Sequence, residues 1–257
     1  MKTDAELNGY ERREKIYTLL KKANKLSVSE MAALFNVSDM TIRRDFHLME
    51  EQGLLLLHYG GAVLKESHPA FREFEGRKDD FYKYKLEIAK CASGYISEGD
   101  TVYLDTSTTI LLMMRYIPNV KFTLVTNSVP VILDAYTKSN IELFIAPGRY
   151  ESSYGGAVDI KTLSYLSAFH YTKSFFGTGF IDTNFGASAP KENESEIKKA
   201  VIKNSDFCYL LADHSKFGKK AFAKFADISD FDTIFTDKEC DSVYISELNK
   251  YTRIVTA

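Results

Sequence analysis

The sequence predicts an α/β chain in two parts: a small N-terminal domain built on helices, then a larger doubly wound α/β domain. Three observations predict it. The first 50 residues carry apolar side chains at helical spacing, with little strand signal before Leu54. The stretch Lys65–Asp80, KESHPAFREFEGRKDD, is charged and broken by Pro69 and Gly76. After Lys85, short β-rich runs alternate with helical stretches. The implied boundaries are 1–64 for the first domain, 65–80 for a linker and 81–257 for the second domain.

In the first domain, Arg12–Lys22 reads as a helix with Ile16, Leu19 and Leu20 on one face. Ser27 stands three residues before Glu30, a capping-box spacing that opens a second helix carrying Met31, Leu34 and Phe35 inward. Asn36-Val37 ends it. Ser38 then caps a third helix, Asp39–Glu50, whose buried stripe is Ile42, Phe46 and Met49. Two short helices joined by a tight turn, the second one polar, describe a helix-turn-helix. The third helix leaves Thr41, Arg43, Arg44 and His47 off the apolar stripe, and hydroxyls and guanidiniums there suit phosphates and base edges in a major groove. Leu54–His58 and Ala62–Leu64, joined at Tyr59-Gly60-Gly61, form a hairpin that serves as a wing. Periodicity alone leaves a second reading open, a three-helix bundle with a solvated basic face.

In the second domain the expected strands are Thr101–Asp105, Phe122–Thr126, Ile141–Ala146, Lys173–Phe176, Asp206–Leu211, Thr233–Thr236 and Arg253–Thr256. Several are apolar almost throughout, as strands buried on both faces of a parallel sheet are. Helical periods such as Glu194–Lys203 separate them. Ligands of open α/β sheets collect at the carboxyl ends of the strands. The run Asp105-Thr106-Ser107-Thr108-Thr109 falls there, before a helical stretch Ile110–Tyr116. It reads either as an anion-binding loop or as an N-capping cluster. Asn127, at the end of the next strand, and Gly177, in Phe175–Asp182, stand at similar places. Glu194 and Lys198 are i, i+4 partners, which alone suggests a surface salt bridge. Asp213 and Lys216 directly follow a strand, where a lysine can reach a phosphate.

Charge gives no help: the chain carries a formal net charge of −2, and residues 1–64 hold nine basic and nine acidic side chains. A nucleic-acid reading therefore rests on where the charges sit. The cysteines, Cys91, Cys208 and Cys240, are odd in number and widely spaced, against a disulfide framework or a zinc site. No bound metal and no cofactor are expected. The N-terminus lacks the apolar stretch of a signal peptide, and the apolar runs, Ile110–Met114 among them, are too short for a bilayer. A cytoplasmic protein without membrane partners is expected.

The segment Val37-Ser38-Asp39-Met40-Thr41-Ile42-Arg43-Arg44-Asp45-Phe46, with Gly53-Leu54 and Gly60-Gly61-Ala62, resembles the signature of DeoR-family repressors. The family pattern is V-S-x-x-T-I-R-R-D-L, then G-L, then H-G-G-A. The resemblance continues through Lys85–Ala89, Asp105–Thr109, Thr126-Asn127, Phe175–Asp182, Glu194–Lys198 and Asp213–Gly218. It implies a winged helix-turn-helix followed by an effector domain similar to ribose-5-phosphate isomerase and the coenzyme A transferases. It implies double-stranded operator DNA at Ser38, Thr41, Arg43 and Arg44, and His47 on the same helix and Tyr59 in the wing join them as candidate DNA contacts. It implies a phosphorylated sugar effector at Asp105, Ser107, Thr108, Thr109, Asn127, Gly177, Asp182, Lys198, Asp213 and Lys216. Like charges repel, so Asp105 is expected to cap the helix or meet a sugar hydroxyl rather than face the phosphate. It further implies a homodimer or homotetramer. The sequence departs from the pattern at Leu57 (usually Arg), Tyr59 (usually His), Ser107 (usually Gly) and Ala146–Arg149 (often a Gly pair). The rival reading is an isomerase-like enzyme, for which the glycine segment offers Asp182 but not the paired acids of the isomerases.

Overall fold

The computed structural model describes residues 7–51, 54–58, 60–64 and 74–257. Expectations placed on Gly53 and Tyr59 lie outside these residues. The chain divides into two compact units, Met1–Arg72 and Glu73–Ala257, and each is described by itself.

The first unit runs α1 (Gly9–Ala23), β1 (Lys25–Ser27), α2 (Val28–Phe35), α3 (Asp39–Glu51), β2 (Leu55–His58) and β3 (Gly61–Leu64). The capping box forms as the spacing predicts: Glu30 N–H donates to Ser27 Oγ, and Ser27 N–H donates to Glu30 Oε2, both at 3.2 Å. Asn36 ends α2 in the left-handed region, φ 51°, which Asn tolerates better than most residues. Ser38 Oγ accepts from Thr41 N–H at 3.2 Å and opens α3. Ile16, Leu20, Met31, Phe35, Ile42, Phe46, Met49 and Leu55 form the core. The hairpin is antiparallel, and β1 adds a third strand in the order β1-β3-β2. Leu57 packs against this core, where the family pattern would place a wing cation.

In the second unit, α4 (Tyr82–Ser93) leads into β4 (Thr101–Leu104), α5 (Thr108–Met113), β5 (Phe122–Thr126), α6 (Val129–Ala135) and β6 (Ile141–Ile145). A small ribbon, β7 (Tyr150–Glu151) and β8 (Gly156–Ala157), precedes α7 (Ile160–Leu166) and β9 (Tyr171–Gly177). Then come β10 (Phe180–Asp182), β11 (Gly186–Ala189), α8 (Glu192–Lys203), β12 (Ser205–Leu211), β13 (Ala223–Ala226), β14 (Thr233–Thr236), α9 (Ser242–Leu248) and β15 (Arg253–Thr256).

Seven strands form one parallel sheet in the order β15-β14-β12-β9-β4-β5-β6. Alternate residues of its strands enter two different cores. Val102, Leu104, Leu124, Phe175 and Phe235 face α4, α5 and α6. Tyr103, Val125, Phe176, Leu210 and Ile234 face α7, α8 and α9. A sheet covered on both faces explains why its strands read as continuous apolar runs. From β4 the chain winds outward to β6, then returns to the other side of β4 as β9 and winds outward again. The sheet's switch point thus lies between β4 and β9.

The end of the stretch expected as a linker belongs to this unit. Phe74 is 1% exposed beneath Gly155, where a Cβ would run into the Phe74 ring and where φ is +69°. Arg77 Nη2 donates to Ser153 O at 2.7 Å. The charged composition of 65–80 hid the buried Phe74 ring and the inward Arg77 guanidinium.

Candidate functional site

In the first unit the candidate site is the outer face of α3. Ile42, Asp45, Phe46 and Met49 are buried, so the helical period turns Met40, Arg44 and His47 outward at i, i+4 and i+7. Arg43 is exposed beside this stripe and Thr41 half-buried on its other flank. Ser38 Oγ and Thr41 Oγ1 lie 2.9 Å apart, so the two hydroxyls hold each other at the helix start. A groove of about 790 Å³ runs along the face, lined by Arg12, Arg13, Met40, Thr41, Arg43, Arg44 and His47 among others. Its charges are not equal. Arg12 Nε and Arg13 Nη1 reach Asp45 at 2.6 and 3.0 Å, clamping α1 to α3 around a buried carboxylate. Arg43 and Arg44 have no such partner among the ion pairs of the described residues. The sequence reading missed both Asp45, as the clamp, and Met40, as an exposed member of the stripe. The 45-46 pair of a buried acid beside a buried Phe on one helix face was the available signal.

In the second unit, the carboxyl ends of adjacent strands converge. Asn127 follows β5, Asp105 follows β4, Gly177 ends β9, and Asp213 lies just beyond β12. Across the switch point, Asp105 Oδ2 accepts from Gly177 N–H at 3.0 Å and pairs with Lys198 Nζ at 3.0 Å. Lys198 also donates to Gly177 O at 2.6 Å and pairs with Glu194 at 2.8 Å. The expected surface pair of Glu194 and Lys198 is therefore buried, 11% and 2% exposed, and turns inward to Asp105. Burial opposes the Lys198 charge, but Asp105 and Glu194 outweigh it and hold the ammonium above its ordinary value. Asp105 is thus neutralised within the protein and does not cap α5. Ser107 does, accepting from Thr109 N–H at 3.2 Å. A Cβ at Gly177 would run into Ser107, so the glycine lets this loop lie against β9. Thr108 and Thr109 are buried at the start of α5.

A second cluster adjoins. Asp213 Oδ1 accepts from Ser215 N–H at 3.1 Å and from Ser215 Oγ, while its buried Oδ2 makes no hydrogen bond. Lys216 stands 3.9 Å from that oxygen, beyond hydrogen-bond distance. Burial, offset in part by Asp213, and the nearby Arg77 together lower the Lys216 pKa. Lys85 donates to Arg77 O at 2.7 Å, and burial together with Lys216 brings its pKa down to about 8. Arg77 feels Glu194 and Asp105 as well, and its Nε is buried without a hydrogen bond. The site therefore holds Arg77 and Lys85, which the sequence reading left out of it. Arg77 was hidden in an apparent linker, whereas Lys85 carried a family motif signal.

Two expected residues are engaged elsewhere. Asp182 Oδ1 accepts from Asn184 and Phe185 N–H at 3.0 and 2.8 Å and so closes the β10–β11 turn. Asn127 accepts from Tyr103 OH at 2.9 Å and donates to Ala157 O at 2.7 Å, a role in holding the strand end. Arg149 is exposed. Among the described residues no group of three His, Cys, Asp or Glu side chains is placed to hold a metal ion, and no helix is long and apolar enough to cross a membrane.

Known proteins match along this whole frame. The DeoR-like helix-turn-helix domain matches residues 12–68, and the DeoR C-terminal sensor domain matches residues 80–238. The chain is 32% identical to the glycerol-3-phosphate regulon repressor of Escherichia coli strain K12, covering 88% of this chain and 90% of that protein. It is 30% identical to the lactose phosphotransferase system repressor of Lactococcus lactis subsp. lactis, covering 98% and 100%. Among solved structures, ribose-5-phosphate isomerase A of Methanocaldococcus jannaschii is similar at 18% identity, over 53% of this chain and 54% of that chain, with a TM-score of 0.40. The relatives are named regulators and repressors rather than enzymes, and this chain is a regulator too. The two matched domains, the helix-turn-helix and the sensor, place the chain in the DeoR family.

Proposed function

We propose that this regulator represses carbohydrate genes by holding operator DNA with α3, and that a phosphorylated sugar bound at the switch point releases it. The observation that carries the sensor half is Lys216. Lys216 is buried at 9% exposure, its ion pair with Asp213 is long, and Asp213 Oδ2 beside it lacks a hydrogen-bond donor. Buried charges are normally paired and hydrogen-bonded, so this arrangement suits a ligand that supplies both an anion and hydroxyl groups. A phosphate would meet Lys216, with Lys85 and Arg77 nearby, and the Ser107–Thr109 loop. A sugar hydroxyl would satisfy Asp213. Asp105 and Lys198 already neutralise each other, so they position Gly177 and the loop. The names of the relatives, which include a glycerol-3-phosphate regulon and a lactose phosphotransferase system, support a carbohydrate regulon. Work in the cytoplasm as a homodimer or homotetramer on paired half-sites fits this role.

A thermal-shift screen of sugar phosphates on the full chain tests it. A ligand at 100-fold its Kd adds about 2.7 kcal/mol of stability. Lys216→Ala should remove most of that shift while leaving operator affinity in the absence of ligand nearly unchanged. A ligand that protects Lys216→Ala as well as the wild type would place the anion elsewhere.

A further inference from the structure

The outward stripe of α3 contains one apolar side chain. Met40 is 74% exposed, in the first turn of the helix, with Thr41 next to it and Arg44 one turn on. The apolar positions of α3 that serve the core, Ile42, Phe46 and Met49, are fully buried on the opposite face. Met40 is therefore no part of the packing, and it lines the same groove as Arg43, Arg44 and His47. Recognition helices contact base edges with residues near their N-termini. In the major groove the one apolar group on a base edge is the C5 methyl of thymine. Arginine, threonine and histidine offer hydrogen-bonding groups to the other edges, and an unbranched, polarisable thioether chain is suited to a methyl group instead.

We infer that Met40 is a specificity-determining residue that reads a thymine methyl in the operator half-site, beside the bases or phosphates met by Arg44. This rests on the DNA-reading role proposed above and adds the chemistry of one contact to it. Loss of one buried methyl weakens such a contact by about 4-fold in Kd.

The experiment uses the full chain and duplexes selected by it from a random pool. Each thymine of the selected half-site is replaced singly by uracil, which removes the C5 methyl and nothing else. Wild type should bind one of these uracil duplexes about 4-fold more weakly. Met40→Ala should bind the parent duplex more weakly by a similar factor and show no further loss with that same uracil. Met40 is exposed and alanine favours helix, so the variant keeps its fold, which its unchanged melting temperature verifies. Equal uracil effects in wild type and Met40→Ala at every thymine, or none at any, overturn the assignment while leaving the DNA-reading role intact. A chain that selects no sequence overturns both.

Discussion

Lys85 shows how one residue ties stability to ligand. It is 2% exposed, and burial with Lys216 nearby brings its pKa to about 8 from the ordinary 10.5. The folded chain therefore binds fewer protons than the unfolded chain between those two values. Stability from this group rises with pH through that window, and below about 8 the buried ammonium is a standing cost. A bound phosphate favours the charged lysine and lifts its pKa. Phosphate-ester affinity should thus stay level up to about pH 8 and fall above it, by at most tenfold per pH unit. Calorimetry at pH 7.5 and 9, in two buffers of different ionisation enthalpy, reads both the affinity and the proton uptake. Lys85→Gln should flatten the profile, and a profile equally steep in that variant would remove Lys85 from the site. At the same scale, Asp45 shows a charge used for architecture. Its carboxylate binds Arg12 and Arg13, whereas Arg43 and Arg44 are exposed and make no ion pair among the described residues.

Among the elements, the loop between β4 and α5 depends on a glycine at the end of β9, the strand that pairs with β4 but lies far along the sequence. Any side chain at Gly177 would push against Ser107 Oγ and Cβ. Gly177→Ala should displace the Asp105–Thr109 loop and weaken the ligand-induced thermal shift at least tenfold in ligand concentration. The operator affinity of the ligand-free chain should stay as it is. An unchanged ligand titration in this variant would show that the loop does not form the anion contact. Much of this element structure was legible. The three helices of the first unit announce themselves by apolar spacing and by Ser27, Asn36 and Ser38. Several of the seven parallel strands read as apolar runs because both of their faces are covered, whereas the edge strands β6 and β15 are only partly buried. The short strands were not legible. β11, Gly-Ala-Ser-Ala, has neither apolar alternation nor β-branched residues, and it exists through pairing with β10 and with the distant β13. β1 is three residues long and is held by β3. The site was legible where a residue follows a strand, as Asp105 and Asp213 do. It was obscured where a partner comes from afar. Asp182 stood in the right segment, yet its carboxylate closes a turn. Arg77 stood in the wrong kind of segment, and its side chain faces the buried charges.

For the whole molecule, release of DNA by a ligand requires linkage between the two units. A ligand releases DNA only by binding the low-affinity conformation more tightly, and by reciprocity DNA must weaken the ligand by the same factor. Turning a 99:1 population into 1:99 takes about 10⁴-fold differential affinity, roughly 5.5 kcal/mol. In the proposed function, a phosphate held by Lys216, with Lys85 and Arg77 nearby, supplies that difference, since charge-assisted contacts in low dielectric are the strong ones. The direct measurement is operator affinity titrated against a sugar phosphate that stabilises the chain, with Lys216→Ala alongside. The account predicts that saturating ligand raises the wild-type operator Kd by at least 100-fold and leaves that of Lys216→Ala within about 3-fold over the same concentrations. An operator Kd that does not move while the ligand demonstrably binds would contradict it.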